Sequence, residues 1–79
     1  MTLISQLKNY WNKLLLKKYK LGDEIEFIHK VNNIPNRMIG TIVDIDDGKR
    51  LPICVMLDIP IKEALFTTSY VNITLKQIL

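Results

Sequence analysis

Length, composition and charge already exclude several classes of protein. The chain has 79 residues, of which 48% are hydrophobic and 24% charged, with three glycines and three prolines. This composition is typical of one small globular domain, and the length excludes most multistep enzymes. Because the only cysteine, Cys54, has no internal disulfide partner, the sequence indicates a reducing compartment such as the cytoplasm. No apolar run approaches the roughly 18 residues that a membrane span needs.

The positive charge is concentrated at the start of the chain. Residues 1–20 contain five lysines and no acidic residue, whereas residues 21–79 contain six basic and eight acidic residues, a balance of −2. Such an asymmetry is typical of contact with nucleic acid, with an anionic lipid surface or with an acidic protein.

The first twenty residues predict an amphipathic basic helix. Apolar side chains recur at spacings of three and four from Leu3 to Leu15, and most of the lysines fall outside that stripe. Thr2 is a candidate N-cap, and Gly22 is expected to stop the helix. We therefore assign residues 1–20 to the helix and expect Trp11 to pack against the rest of the domain.

Residues 21–79 predict a small β domain, because polar and apolar residues begin to alternate after Gly22. Strands are expected at residues 24–29, 37–46, 51–58, 65–68 and 70–75, and loops at residues 31–36, 46–49 and 59–62. The core is expected to contain Ile25, Phe27, Val43, Ile45, Val55, Leu57, Val71 and Ile73. Gly40 is expected at a bend or at a close approach of two backbones.

One helix followed by five short, bent strands predicts a closed five-stranded barrel with the helix over one open end. Closure would remove the exposed edges that an open five-stranded sheet presents. The two segments, residues 1–20 and 21–79, are expected to form one compact domain.

Three stretches resemble the strands of Src-homology-3-like barrels. They are Leu21–Phe27, with its Gly-Asp pair before an alternating strand, Ile39–Ile45, with a glycine before an aliphatic run, and Leu51–Asp58. The closing stretch Tyr70–Leu75 fits the last strand of such a barrel. The pattern is shared by KOW-type barrels, by small accessory subunits of photosynthetic electron-transfer complexes and by Sm-like proteins, which also place a helix before the barrel. The resemblance implies a small barrel fold and does not by itself imply a function.

Catalytic and metal sites are not indicated by the sequence. His29 is the only histidine, and no nucleophile, base and orienting group occur close together. One cysteine and one histidine cannot complete a zinc site. The acidic stretch that starts at Asp44 lacks the glycine at position six and the glutamate at position twelve of a calcium loop. We therefore predict a non-enzymatic chain without a cofactor or metal.

Nucleic-acid binding through basic side chains is the leading functional hypothesis. Lysines at the end of the helix and basic residues in the predicted rim loops could hold phosphates, as small barrels do. The candidate residues are Lys13, Lys17, Lys18, Lys20, Lys30, Arg37, Lys49 and Arg50. Removing the charges of Lys17, Lys18 and Lys20 is expected to flatten the salt dependence of binding.

Two alternatives are docking onto a larger protein assembly and association with a membrane surface. Aliphatic residues are more numerous near the end of the chain than a small barrel needs, and exposed apolar clusters mark interfaces. The docking candidates are Ile59, Ile61, Leu65 and Ile78, and a homo-oligomer is one form of this alternative. Membrane association ranks third, because the basic amphipathic helix that would support it is also needed to cover the barrel.

Overall fold

The chain forms one antiparallel sheet in the computed structural model, which describes residues 13–79. Four strands, β1 (Glu24–Val31), β2 (Ile34–Ile45), β3 (Ile53–Lys62) and β4 (Thr67–Ile73), lie in the order β1-β2-β3-β4. A short 3₁₀ helix, η1 (Leu75–Gln77), follows the last strand. Each strand therefore pairs with its neighbour in sequence.

The predicted five-stranded closed barrel is wrong, because the described residues form an open sheet of four strands. Residues 65–68 and 70–75 were expected as two strands separated at Ser69, whereas β4 runs through Ser69 without a break. Residues 59–62 were expected as a loop but belong to β3, where Ile61 and Lys62 pair with β4.

Pro60 is accommodated in β3 because the pairing with β4 is irregular there. Four residues of β3 lie between the paired residues Met56 and Ile61, opposite the single residue Ser69 of β4. Such an irregularity removes the need for a backbone N–H at the proline. A proline in this stretch therefore marks an interruption of the ladder and not the end of the strand.

In the described residues, the prediction that the helix continues to residue 20 is wrong. Helical conformation covers Lys13 to Leu16, and turns follow it at Lys17 and Lys18. Leu16 is buried in the core, so this end of the segment is attached to the sheet. The predictions for residues 1–12, including the packing of Trp11, lie outside the described residues.

Gly22 has a local role in a turn and does not end a helix. The Asp23 backbone N–H donates to the Lys20 carbonyl at 3.1 Å, which closes a four-residue turn. Gly22 is the third residue of this turn and has a φ of +92°. A type II turn requires a positive φ at that position, and glycine adopts it without steric cost.

A two-residue turn joins β1 and β2 where a longer loop, residues 31–36, was expected. Val31 pairs with Ile34, and both residues between them, Asn32 and Asn33, have positive φ values of 52° and 65°. Two positive φ values define a type I′ turn, whose twist matches that of a hairpin. The Asn36 side chain also donates to the Ile34 carbonyl at 2.8 Å.

The core lies on one face of the sheet and confirms six of the eight predicted core residues. Fully or nearly fully buried are Leu16, Ile25, Phe27, Ile42, Ile53, Val55, Leu57, Val71 and Ile73. Val43, predicted as core, is exposed, and Ile45 is only half-buried.

A β-bulge explains the error at Val43. Ile42 pairs with Val55 and Asp44 pairs with Cys54, so Val43 is the extra residue on β2. The extra residue shifts the alternation by one position, since a strand turns successive side chains to opposite faces. Ile42 therefore lies in the core on one side of the bulge, and Ile45 packs against the core on the other.

Gly40 lies where two backbones approach closely, as predicted. A Cβ at this position would collide with the Val55 side chain and would lie 2.6 Å from the Met56 carbonyl oxygen. Both atoms belong to β3, the neighbouring strand, and Met56 O is part of its backbone. Only glycine fits this position without displacing β3.

Candidate nucleic-acid interface

A groove at one end of the sheet brings together basic side chains from three separate parts of the chain. Its volume is about 570 Å³. Four cationic side chains line it, those of Lys13, Lys49, Arg50 and Lys76, together with one carboxylate, that of Asp47. We call this set of residues the basic groove. Its net formal charge of +3 equals that of the whole chain, so the other residues balance one another.

The loop between β2 and β3 positions Lys49 and Arg50 at the groove. Asp46 organises this loop: its backbone N–H donates to the Pro52 carbonyl at 2.8 Å, and its side chain accepts from the Gly48 N–H at 3.0 Å. The Lys49 N–H donates to the Asp46 carbonyl at 3.1 Å. An aspartate that accepts from a backbone N–H two residues on is typical of a tight turn.

Lys49 also contacts the carboxylate of Asp46, but weakly. Its Nζ lies 4.0 Å from Asp46 Oδ2, and both side chains are well exposed. An exposed ion pair at this distance contributes little, because water and salt screen it. Lys49 can therefore exchange this carboxylate for a phosphate oxygen at low cost.

Two further chain segments complete the groove. Lys13 comes from the helical residues that precede β1, and the neighbouring Leu16 is both a core residue and part of the groove wall. Thr74, Leu75 and Lys76 come from the end of β4 and from η1. The groove thus has an apolar wall continuous with the core and a rim of charged side chains.

Lys30, another of the sequence candidates, lies beside a second depression that shares Lys76 with the basic groove. This depression is lined by Ile28, His29, Lys30, Lys76 and Gln77. His29 was expected as an exposed loop-edge residue but lies half-buried within β1. Lys76 therefore lines both depressions, whereas Lys30 lies next to the β1–β2 turn, at the end of the sheet opposite the β2–β3 loop.

The remaining basic candidates lie elsewhere. Lys17, Lys18 and Lys20 are exposed and lie outside the groove lining. Arg37 lies on β2, where its guanidinium pairs with the carboxylate of Glu26 on the adjacent strand. The structure thus brings together Lys13, Lys49 and Arg50 of the predicted set.

Lys76 is the groove residue that the sequence did not indicate. It follows a predicted strand as an isolated lysine, without a basic neighbour or a turn motif that would single it out. Its place in the groove depends on η1 returning the chain across the end of the sheet, which is a long-range feature.

The four docking candidates divide into two pairs. Ile59 and Leu65 are 84% and 93% exposed. Ile61 and Ile78 are half-buried and pack against the core. Phe66, which was not a docking candidate, is 58% exposed beside Leu65. Ile59 and Leu65 are the two most exposed large apolar side chains of the described residues, and Leu65 and Phe66 lie in the β3–β4 connection.

Other kinds of site find little support in residues 13–79. This part of the chain holds no group of three or more histidine, cysteine, aspartate or glutamate side chains able to bind a metal ion. Cys54 is a free, half-buried thiol. None of the helices in the same residues is long and apolar enough to cross a membrane.

Comparison with known proteins assigns no family. No protein-family model matches the sequence, and neither the search of curated proteins nor that of solved structures finds a significant match.

Proposed function

We propose that this chain is a non-catalytic nucleic-acid-binding module that holds backbone phosphates in the basic groove. The observation that carries the proposal is the convergence of Lys13, Lys49, Arg50 and Lys76 on one groove with a single carboxylate among them. Lysine and arginine side chains bind phosphates by neutralising their charge and releasing counterions. Since phosphate contacts fix position and carry no base information, such binding is independent of sequence.

The walls of the groove favour contact with the backbone over contact with the bases. Its lining residues, all from the described part of the chain, include no phenylalanine, tyrosine or tryptophan. Proteins that hold single strands by their bases stack them on aromatic side chains. We therefore expect similar affinities for oligonucleotides of different base composition.

The test compares two triple variants that remove the same charge. One changes Lys49, Arg50 and Lys76 in the groove to glutamine, and the other changes Lys17, Lys18 and Lys20. Binding of labelled single-stranded oligonucleotides is measured by fluorescence anisotropy between about 50 and 200 mM salt. Each phosphate contact contributes about 0.7 to the slope of log affinity against log salt, so the groove variant should lose about 2 units of slope.

The outer-lysine variant is the matched control, because it changes the net charge equally. The sequence alone predicts a flatter slope for this variant, but these three lysines lie outside the groove lining, so it should retain most of the slope. Circular dichroism should show that both variants are folded. Equal losses in the two variants would mean that only the overall charge matters. That result, or absence of binding by the unmodified protein at low salt, would contradict the proposal.

The second candidate function is that of an accessory subunit that docks onto a larger protein. It is favoured by the exposed Ile59, Leu65 and Phe66 near the β3–β4 connection. Membrane association remains the third candidate, and most of the helix that suggested it lies outside the described residues. A chain with one cysteine fits a reducing compartment such as the cytoplasm in each case.

A further inference from the structure

β4 is an edge strand without the features that usually prevent edge-to-edge pairing. It pairs with β3 on one side and has no strand on its other side among residues 13–79. Its seven residues, Thr67–Ile73, include no charged residue and no proline. Soluble proteins commonly protect an edge with lysine, proline or a covering segment, because unpaired backbone groups attract another strand.

The opposite edge of the sheet, formed by β1, has charged residues and is covered by another segment of the chain. β1 carries the charged residues Glu24, Glu26 and Lys30. The end of the chain also covers it: the Leu79 N–H donates to the Glu26 carbonyl at 2.9 Å, and Ile78 forms an isolated bridge with Phe27. The protein therefore protects one edge with its own C-terminal residues and leaves the other uncharged.

We propose that two copies of this chain associate through β4, which pairs antiparallel with β4 of the second copy. A neutral strand is self-complementary, since a twofold axis places no like charges opposite each other. Tyr70 is the middle residue of β4. An axis through Tyr70 pairs all seven residues of the strand and sets Thr68 opposite Asn72 of the second copy.

The apolar residues beside this edge support the same arrangement. Tyr70 is 57% exposed and pairs across the ladder with Met56, which is 40% exposed. The proposed axis would bring the two Tyr70 side chains together beside both Met56 residues. Leu65 and Phe66, which precede β4, would extend past the end of the second copy's strand toward its Thr74 and Leu75. Exposed apolar groups that become contiguous in this way are typical of interfaces.

The self-association is tested by sedimentation velocity over a range of protein concentrations. The unmodified chain should be a dimer at high concentration and dissociate on dilution. The double variant Thr68→Lys with Asn72→Lys puts two pairs of lysines opposite each other and should weaken the dimer by about tenfold. A matched control, Thr41→Lys with Val43→Lys, adds the same charge to β2 and should leave the dimer unchanged.

A compensating variant tests the register itself. Thr68→Lys with Asn72→Glu places opposite charges across the proposed pairs and should restore the dimer. Its recovery would also show that substitutions at these positions leave the chain folded. A monomer at every concentration of the unmodified chain would overturn the proposal. So would a double-lysine variant that dimerises normally, or a compensating variant that is folded but stays monomeric.

Discussion

The Gln77 side-chain amide donates a hydrogen bond to the Ile28 carbonyl at 3.0 Å, across 49 residues of sequence. Through its oxygen, the same side chain accepts from the Thr74 backbone N–H at 2.9 Å. One half-buried amide thus holds the start of η1 and attaches the C-terminal segment to β1. Since η1 carries Lys76, this side chain also positions part of the basic groove.

Replacing this amide with a carboxylate is expected to destabilise the protein. Gln77→Glu keeps the oxygen that accepts from Thr74 but loses the donor to Ile28, so two oxygens would face each other. The free energy of unfolding should fall by about 1 kcal/mol, the lower end of the cost of an unsatisfied buried polar group, because Gln77 is only half-buried. Urea unfolding followed by circular dichroism measures it. Asn72→Asp, which adds the same charge at an exposed position, should change stability little, and equal effects of the two would contradict the argument.

Gly40 should tolerate no larger residue. In Gly40→Ala the new methyl group would collide with the Val55 side chain and the Met56 carbonyl oxygen. Overpacking of this kind costs about 1–3 kcal/mol, and Gly40→Val should cost more. Gly48→Ala is the control, because its nearest neighbour is the flexible side chain of Asp46, with an oxygen 3.3 Å away. Thermal unfolding of both variants compares the two positions, and a Gly40→Ala protein as stable as Gly48→Ala would exclude the close approach.

The sequence predicted those parts of the fold where inward and outward side chains alternate without interruption along a strand. Ile25 and Phe27 were placed in the core because β1 alternates regularly and has one buried face. Gly40 was recognised because a glycine within an aliphatic strand usually has a steric reason. Two of the errors lie where the alternation or the pairing is interrupted: at the bulge on β2 and at Pro60, in the irregular part of the β3–β4 ladder.

The candidate site was harder to predict than the strands. Lys49 and Arg50 were identified because basic residues in a turn are exposed, but their neighbours in space are not near them in sequence. Lys13 and Lys76 join them only because the helical end packs against the sheet through Leu16 and η1 crosses its end. Local patterns contain no information on such convergence, so Lys76 was missed.

The bulge predicts opposite sensitivities for two adjacent residues. Ile42 is 1% exposed, whereas Val43 is 38% exposed. Ile42→Ala should lower the free energy of unfolding by about 2–5 kcal/mol, through lost burial and a cavity. Val43→Ala should change it by no more than about 0.5 kcal/mol, as for most surface substitutions. Urea titrations of both variants would show which of the two side chains faces the core. A larger effect at Val43 would mean that β2 alternates without a bulge.

The β1–β2 turn should be improved by glycine. Asn33 has a φ of 65°, which glycine adopts without strain and asparagine only at some cost. Asn-Gly is the preferred pair in a type I′ turn, so Asn33→Gly should raise the free energy of unfolding by up to about 1 kcal/mol. Asn33→Ala should lower the free energy of unfolding, because alanine adopts a positive φ less readily than either glycine or asparagine. Melting temperatures measured in parallel test the pair, and a stabilising alanine would argue against the left-handed conformation.

A test of the docking hypothesis needs variants that change the surface without changing the fold. The most exposed side chains are the best positions for such variants. Leu65→Asp and Ile59→Asp alter side chains that are 93% and 84% exposed. Each should shift the free energy of unfolding by less than about 0.5 kcal/mol. Ile61→Asp should cost about 1–3 kcal/mol, because Ile61 packs against the core and a carboxylate there loses solvation.

The three substitutions carry the same change of charge, so they also separate docking from nucleic-acid binding. None of the three residues lines the basic groove. The two exposed variants should therefore bind single-stranded oligonucleotides with nearly unchanged affinity, apart from a small general effect of one negative charge. Anisotropy titrations and thermal melts on the same preparations provide both measurements. A large loss of oligonucleotide binding in a fully stable Leu65→Asp protein would move the binding surface from the groove to the β3–β4 connection.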